Sequence, residues 1–323
     1  VANVPLFKTL ITDDMQTVDR VIRTRLHSDV VLIRQVAEYI IGAGGKRMRP
    51  ALTLLAGRAL GYEGSYLHEL AAMIEFIHTA TLLHDDVVDE SDLRRGRDTA
   101  NALFGNAAAV LVGDFLYTRA FQMMVETQNM RILEVMAEAT NIISEGEVLQ
   151  LLNIGNTDID ETQYLQVIQY KTAKLFEAAA RVGALIAAAT PEQEQALADY
   201  GMHLGTAFQI IDDVLDYSGD AETIGKSLGD DLAEGKPTLP LIYTMRQGNE
   251  QAAGVVRHAL EHASRDHFSQ VLAAVQSCGA LDYARREAEA AADRAVAALA
   301  ALPDSPARQA LAELAILAVK RDA

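Results

Sequence analysis

Residues 74–97 read IEFIHTATLLHDDVVDESDLRRGR. The first half sets apolar residues at helical spacing, with no Gly or Pro to break the run. The second half gathers Asp85, Asp86, Asp89, Glu90 and Asp92, then answers them with Arg94, Arg95 and Arg97. On a helix, Asp85 and Asp89 stand at i and i+4, where like charges repel by about 0.2–0.5 kcal/mol. The negative end of the helix dipole disfavours carboxylates there by about 0.3–1 kcal/mol more. A hard cation bridging the carboxylates reverses both costs. Mg2+ takes oxygen ligands, commonly one or two carboxylates together with substrate phosphates.

A second stretch echoes the first. Residues 79–89 read TATLLHDDVVD and residues 206–216 read TAFQIIDDVLD, so Thr-Ala precedes a DDVxD at the same spacing in both. An isolated DDxxD in an acidic chain reads as a solvated helix end; a matched pair does not. Asp212, Asp213 and Asp216 are flanked by Ile210, Ile211, Val214 and Leu215, which makes an open polar face untenable. Burying unpaired carboxylates is prohibitive, and metal is the usual remedy. The pattern predicts two antiparallel helices facing their acid clusters across a cleft, as helix bundles build metal sites. The anion that such metals would share is a diphosphate.

Between these stretches and around them the period stays near 3.6, in segments rich in Ala, Leu, Glu, Gln and Met. Helices are expected over 5–25, 28–42, 48–61, 65–90, 98–128 with a break near Gly105–Asn106, 130–152, 160–189, 191–218, 237–247, 250–277, 279–301 and 305–320. No alternating series of strands and no linker divides the chain. The expectation is one all-α domain over residues 1–323, a bundle of long helices around a central cleft.

Three further features could hold anions. Gly44-Gly45-Lys46-Arg47-Met48-Arg49-Pro50 places cations just where Pro50 starts a helix, and free N–H groups at a helix start already attract anions. Its alternative reading is a basic surface loop. Arg94 and Arg95 can reach phosphates on either side of the first acid cluster, or neutralise Asp89, Glu90 or Asp92. The stretch 219–240, GDAETIGKSLGDDLAEGKPTLP, follows directly from the second acid cluster and supplies Lys226 and Lys236; it reads as a flap over metal-bound phosphate. His78 lies near these sites, His84 reads as structural, Lys171-Thr172 interrupts an apolar pattern, and Gln209 shares a helix face with Asp212.

Bulk properties narrow the classes. Half of the 323 residues are apolar, enough for a sizeable core, and the net charge of −17 argues against a nucleic-acid partner. The single Cys278 excludes an intrachain disulfide and suits a reducing compartment. The opening VANVPLFKTLITDD lacks a signal-peptide pattern, and the apolar run 178–189 is short and interrupted by Arg181. A soluble, cytoplasmic protein without a transmembrane segment is expected.

Taken in order, GGKRMRP, LLHDDVVDESDLRRG, EGEVLQL, YKTAKLF, GTAFQIIDDVLDY and GDDLAEGKPTLPL resemble the trans-isoprenyl diphosphate synthases across essentially the whole chain, and within them the bacterial octaprenyl-forming branch that supplies the ubiquinone side chain. The resemblance implies that Lys46, Arg49, His78 and Arg95 bind isopentenyl diphosphate. It implies Asp85, Asp89 and Asp212 as magnesium ligands, with Asp86, Asp213 and Asp216 as ligands or partners behind them. It assigns Arg94, Lys171, Thr172, Gln209, Lys226 and Lys236 to the allylic diphosphate, farnesyl diphosphate being the expected primer. Three Mg2+ per site, a single-bundle fold and a homodimer are implied as well.

Product length is expected to be read on the helix entering Asp85, past Thr81, Ala80, Ile77 and Met73. Short-product relatives carry aromatic residues four or five positions before the first Asp, where this chain has Thr81 and Ala80. Both are small, and a helix over 65–85 spans roughly 30 Å at 1.5 Å per residue, so a long product is expected. Met123, Met124 or Phe121 would form the floor. A terpene cyclase would not need GGKRMRP or a second DDxxD; a phosphohydrolase around His78 and His84 would not predict matched Asp triads. A non-catalytic partner subunit would not keep both motifs intact.

Overall fold

Helix-favouring composition prevails almost everywhere in the computed structural model, which describes residues 5–42, 44–94, 96–218 and 228–321. The first helices are α1 (Leu6–Leu10), α2 (Thr12–Arg25), α3 (Val31–Gly42), α4 (Met48–Ala59) and α5 (Tyr66–Val88). A hairpin of β1 (Leu93–Arg94) and β2 (Arg97–Asp98) follows, then α6 (Ala100–Phe104), α7 (Asn106–Glu126), α8 (Met130–Leu152) and α9 (Glu161–Ile168). A π-helical turn, Gln169–Ala173, leads into α10 (Lys174–Ile186), and α11 (Pro191–Ser218) carries the second acid cluster. Helices Asp230–Ala233, Leu239–Gln247, Glu250–Glu261, Phe268–Ser277, Ala280–Ala298 and Pro306–Val319 complete the described chain. The all-α class holds.

Local chemistry sets the breaks. Gly105, at φ +86°, parts α6 from α7 where the sequence expects it. Asp160 and Gln163 form a reciprocal capping box that starts α9. Two expected helices are split, and one hairpin is unexpected. The run 5–25 breaks at Ile11, and 250–277 breaks where Ala263 turns left-handed and the Ser264 side chain caps Asp266. The hairpin, with Leu93 opposite Asp98 and Arg94 opposite Arg97, was not expected from a chain without strand periodicity.

Two compact units can be described. One comprises Val1–Ala139, Leu175–Gly201 and Val296–Leu314; the other comprises Thr140–Lys174, Met202–Ala295 and Ala315–Ala323. In the first, α5 is buried on nearly every side, through Leu67, Leu70, Met73, Ile74, Phe76, Ile77, Ala80 and Leu83. A helix apolar all round is a core helix, and α5 packs on α7, α4 and α2. In the second, the core joins Ile210, Ile211, Val214 and Leu215 of α11 to Tyr164 and Ile168 of α9 and to Leu239, Leu241 and Ile242. Among the described residues no helix is long and apolar enough to cross a membrane.

The end of α5 is built to hold its acids. Ser91 N–H donates to Asp86 O (3.0 Å) and Glu90 N–H to Val87 O (3.3 Å), the paired bonds of a Schellman closure. Glu90 occupies the left-handed position at φ +52°, where glycine is the usual residue. Left-handed backbone costs an L-residue about 1–2 kcal/mol, and the Glu90 carboxylate adds charge at the negative helix end. Glu90→Gly is therefore expected to raise the unfolding free energy by about 1 kcal/mol. A urea midpoint that moves down instead would show that Glu90 makes a compensating contact.

Candidate active site

The basic turn uses its freedom at Gly44 (φ +73°) and Gly45 (φ +155°), and Arg47 follows at φ +49° as the residue before α4. That strained backbone turns Arg47 inward, where its guanidinium pairs with Glu75 of α5. Arg47 is thus a structural cation. Arg49, two residues on, stacks over the Phe176 ring at 4.3 Å and places Nη1 3.3 Å from His78 Nε2. Arginine can only donate, so His78 Nε2 accepts, and the pair joins α4 to α5. Lys46 lies exposed on the same turn. Lys46, Arg49 and His78 therefore belong to one unit, with Arg49 and His78 in contact; Arg95 lies outside the described residues.

The three aspartates of the first cluster have different environments. Asp86 is buried at 1% exposure; its Oδ1 accepts from Arg94 Nε (2.8 Å) and forms an ion pair with Nη2 at 2.7 Å. Burial opposes the charge on Arg94, but Asp86, with Asp85 and Asp89 beyond it, holds the guanidinium above its ordinary range. Arg94 thus pairs with Asp86, with the charges of Asp85 and Asp89 close by. The hairpin that carries Arg94 is tied back by Asn101, whose Nδ2 donates to Asp86 O (3.3 Å) and Ser91 O (3.2 Å). Asp85 and Asp89 remain half-buried, one turn apart.

Further up α5, Met73, Ile77 and Ala80 are fully buried, and Thr81 is half-buried with its hydroxyl donating to His78 O (2.7 Å). On α7, which packs along α5, Met123 and Met124 are buried and Phe121 is half-buried.

In the other unit, the second cluster shows a similar division. Asp213, at 4% exposure, accepts from Tyr164 Oη (2.6 Å) and from Gln209 Nε2 (2.7 Å). Burial, and then Asp231, push its carboxyl above the usual range against those two hydrogen bonds. Gln209 Oε1 in turn accepts from Thr172 Oγ1 (3.1 Å), so one chain of bonds runs from the π-turn through α11 to α9. Asp216 accepts from the backbone N–H groups of Asp230 and Asp231, both at 3.2 Å, and so caps the helix Asp230–Ala233. Asp212 is 53% exposed at its side chain, with Arg321 Nη1 at 3.7 Å.

Lys171 projects from the π-turn to Glu147 Oε2 and Gln150 Oε1, both at 2.7 Å. A π-turn often marks a functional position, and here Gly146 permits it: a Cβ there would lie 2.5 Å from the Lys171 backbone nitrogen. Lys236 pairs with Glu234 at 2.6 Å, while Lys226 lies outside the described residues. Arg321 stacks on Phe208 at 4.1 Å and donates to Phe208 O and Ala318 O, both at 2.9 Å. Burial lowers its pKa and Asp212 opposes that shift.

Sequence reasoning missed Tyr164, Glu147, Gln150, Asn101 and Arg321. Glu147 and Gln150 could have been found, being i and i+3 on a helix beside a lone lysine; Tyr164 carries no local signal. Tyr164→Phe is expected to cost about 1–3 kcal/mol of stability, because it removes one donor from a buried carboxylate. Equal denaturant midpoints for the two proteins would show that water replaces the hydroxyl.

The donors fit a divalent cation in one particular way. Among the described residues no three His, Cys, Asp or Glu side chains are gathered tightly enough to cage a metal alone. Asp85 and Asp89 offer hard oxygens one turn apart, as Mg2+ requires when phosphate oxygens and water complete its octahedron. Asp86, Asp213 and Asp216 have oxygens that accept from protein donors.

Comparison with known proteins agrees with this chemistry. The family model described as polyprenyl synthetase matches residues 30–276. The octaprenyl diphosphate synthase of Escherichia coli (strain K12) is 56% identical over 99% of both chains. A geranyl-diphosphate-specific all-trans-nonaprenyl-diphosphate synthase of Rhodobacter capsulatus is 48% identical over 96% of both. The crystal structure of a polyprenyl synthase from Caulobacter crescentus, complexed with calcium and isoprenyl diphosphate, superposes with a TM-score of 0.95 at 46% identity, covering 98% of both chains.

Proposed function

We propose, on the premise that the chain belongs to the polyprenyl synthetase family and is therefore a prenyltransferase, that it adds isopentenyl diphosphate units to an allylic primer such as farnesyl diphosphate until an all-trans octaprenyl chain is made. The observation that carries the product length is the 56% identity, over almost the whole of both chains, to an octaprenyl diphosphate synthase. The 48% identity to a nonaprenyl enzyme makes one unit more the second reading.

Magnesium, three ions per site with substrate present, would supply positive charge beside the departing diphosphate and so ease ionisation of the allylic C–O bond. Asp85, Asp89 and Asp212 are the residues to hold it. Asp86 and Asp213, whose oxygens accept from Arg94, Tyr164 and Gln209, fix the helix turns that carry these ligands, and Asp216 secures the start of the following helix. Arg94, Lys171, Thr172, Gln209, Lys226 and Lys236 hold the allylic diphosphate. Lys46, Arg49, His78 and Arg95 hold isopentenyl diphosphate, whose double bond attacks the allylic carbon. A carbon–carbon bond forms, and the proton lost from the neighbouring carbon goes to the released diphosphate. Apolar walls keep water from the cation.

The chain acts in the cytoplasm as a homodimer and supplies the side chain of a quinone. The experiment is an incubation of the protein with Mg2+, farnesyl diphosphate and labelled isopentenyl diphosphate, followed by chromatography of the dephosphorylated product. An eight-unit chain is expected. A product that stops at three or four units contradicts the reading.

A further inference from the structure

Asp85 and Asp89 sit on the last turn of α5 and its cap, the part of a helix that frays first. On the Asp86 side, Arg94 and Asn101 restrain this turn. The structure shows a further restraint on the other side. His84 Nε2 lies 3.0 Å from the carbonyl oxygen of Val110 on α7, with Asp114 Oδ1 at 3.3 Å. A carbonyl can only accept, so the ring proton is on Nε2 and the bond runs from α5 to α7. The ring lies against Gly113: a Cβ at that position would be 2.3 Å from Nε2 and 2.6 Å from Cδ2. The chain therefore keeps the one residue type on α7 that lets this imidazole reach the backbone.

Successive helix residues turn by about 100°. Taking His84 as zero, Asp85 stands at about 100°, Asp89 at about 140° and Asp86 at about 200°. The restraints thus grip the turn from nearly opposite sides, and both candidate metal ligands project from the arc between them. Without the His84 bond, the turn keeps Arg94 and Asn101 on the Asp86 side and loses its side-chain hydrogen bond to α7.

Resting on the magnesium–diphosphate reading above, we propose that His84 is a positioning residue: through its Nε2–H bond to Val110 O, over Gly113, it sets the azimuth of Asp85 and Asp89 for the cation. It touches neither substrate nor metal. Its side chain is 34% exposed, so replacement does not open a buried void.

The test uses the full-length protein saturated with the unreactive farnesyl thiolodiphosphate, titrated with Mg2+ by calorimetry. His84→Phe keeps a ring and loses the donor, and its Mg2+ dissociation constant is expected to rise about tenfold. His84→Gln places an amide N–H at similar reach and is expected to stay within about twofold of wild type. Gly113→Ala displaces the ring with His84 intact and is expected to match His84→Phe; it decides the matter alone if His84→Phe does not fold. Unchanged Mg2+ affinity in His84→Phe or Gly113→Ala overturns the proposal, and so does equal weakening in His84→Phe and His84→Gln. If wild type itself binds the thiolodiphosphate without any Mg2+ dependence, the magnesium reading fails instead.

Discussion

Asp85→Asn is expected to reduce condensation by about 10²–10³-fold while leaving the protein as stable as wild type, or slightly more so. The half-buried Asp85 carboxylate faces Asp89 one turn on, close to the negative end of α5. Neutralising it relieves repulsion by a few tenths of a kcal/mol and an unfavourable dipole term of similar size. Asparagine preserves the shape and one oxygen, so the loss reports charge. Initial rates with labelled isopentenyl diphosphate and a thermal melt on the same sample separate the two effects. Full activity, or collapse of the fold, contradicts this assignment. Asp86→Asn should behave differently, because it removes the charge paired with the half-buried Arg94 and costs stability as well.

Ala80→Phe is expected to shorten the product while leaving the first condensation intact. Ala80 is fully buried on α5 and lies five residues before Asp85, about 7 Å along the axis. An aromatic ring there would block a chain that grows along α5 soon after it leaves the metal end. Overpacking a core position costs about 1–3 kcal/mol, so the variant should melt earlier but remain folded. Chromatography of the dephosphorylated products gives the answer. An unchanged length distribution would mean that the chain runs elsewhere than past Ala80, Ile77 and Met73.

Helices with strong punctuation were legible in the sequence to the residue. The spans 130–152 and 191–218 match α8 and α11, the second opened by Pro191. The break near Gly105 was legible because only glycine adopts its backbone readily. The split at Ala263 was not, since an alanine forced left-handed gives no compositional sign, and Ser264 within an otherwise helical run is ordinary. Two-residue strands cannot show periodicity, so the hairpin that delivers Arg94 to Asp86 stayed hidden. The π-turn is equally silent: Gln169–Ala173 holds no Gly or Pro, and the close approach of Gly146 that accommodates it comes from another helix. The acidic clusters announced themselves through spacing, but their internal division did not. That Asp86 and Asp213 are buried against Arg94 and Tyr164 while Asp212 stays exposed depends on residues brought in by tertiary packing.

The most direct measurement is anomalous scattering from crystals soaked with Mn2+, in place of Mg2+, and farnesyl thiolodiphosphate. The account predicts metal peaks at about 2.1 Å from carboxylate oxygens of Asp85, Asp89 and Asp212, with diphosphate oxygens bound to the same ions. Peaks confined to other residues, with the thiolodiphosphate seated away from both aspartate clusters, would contradict it.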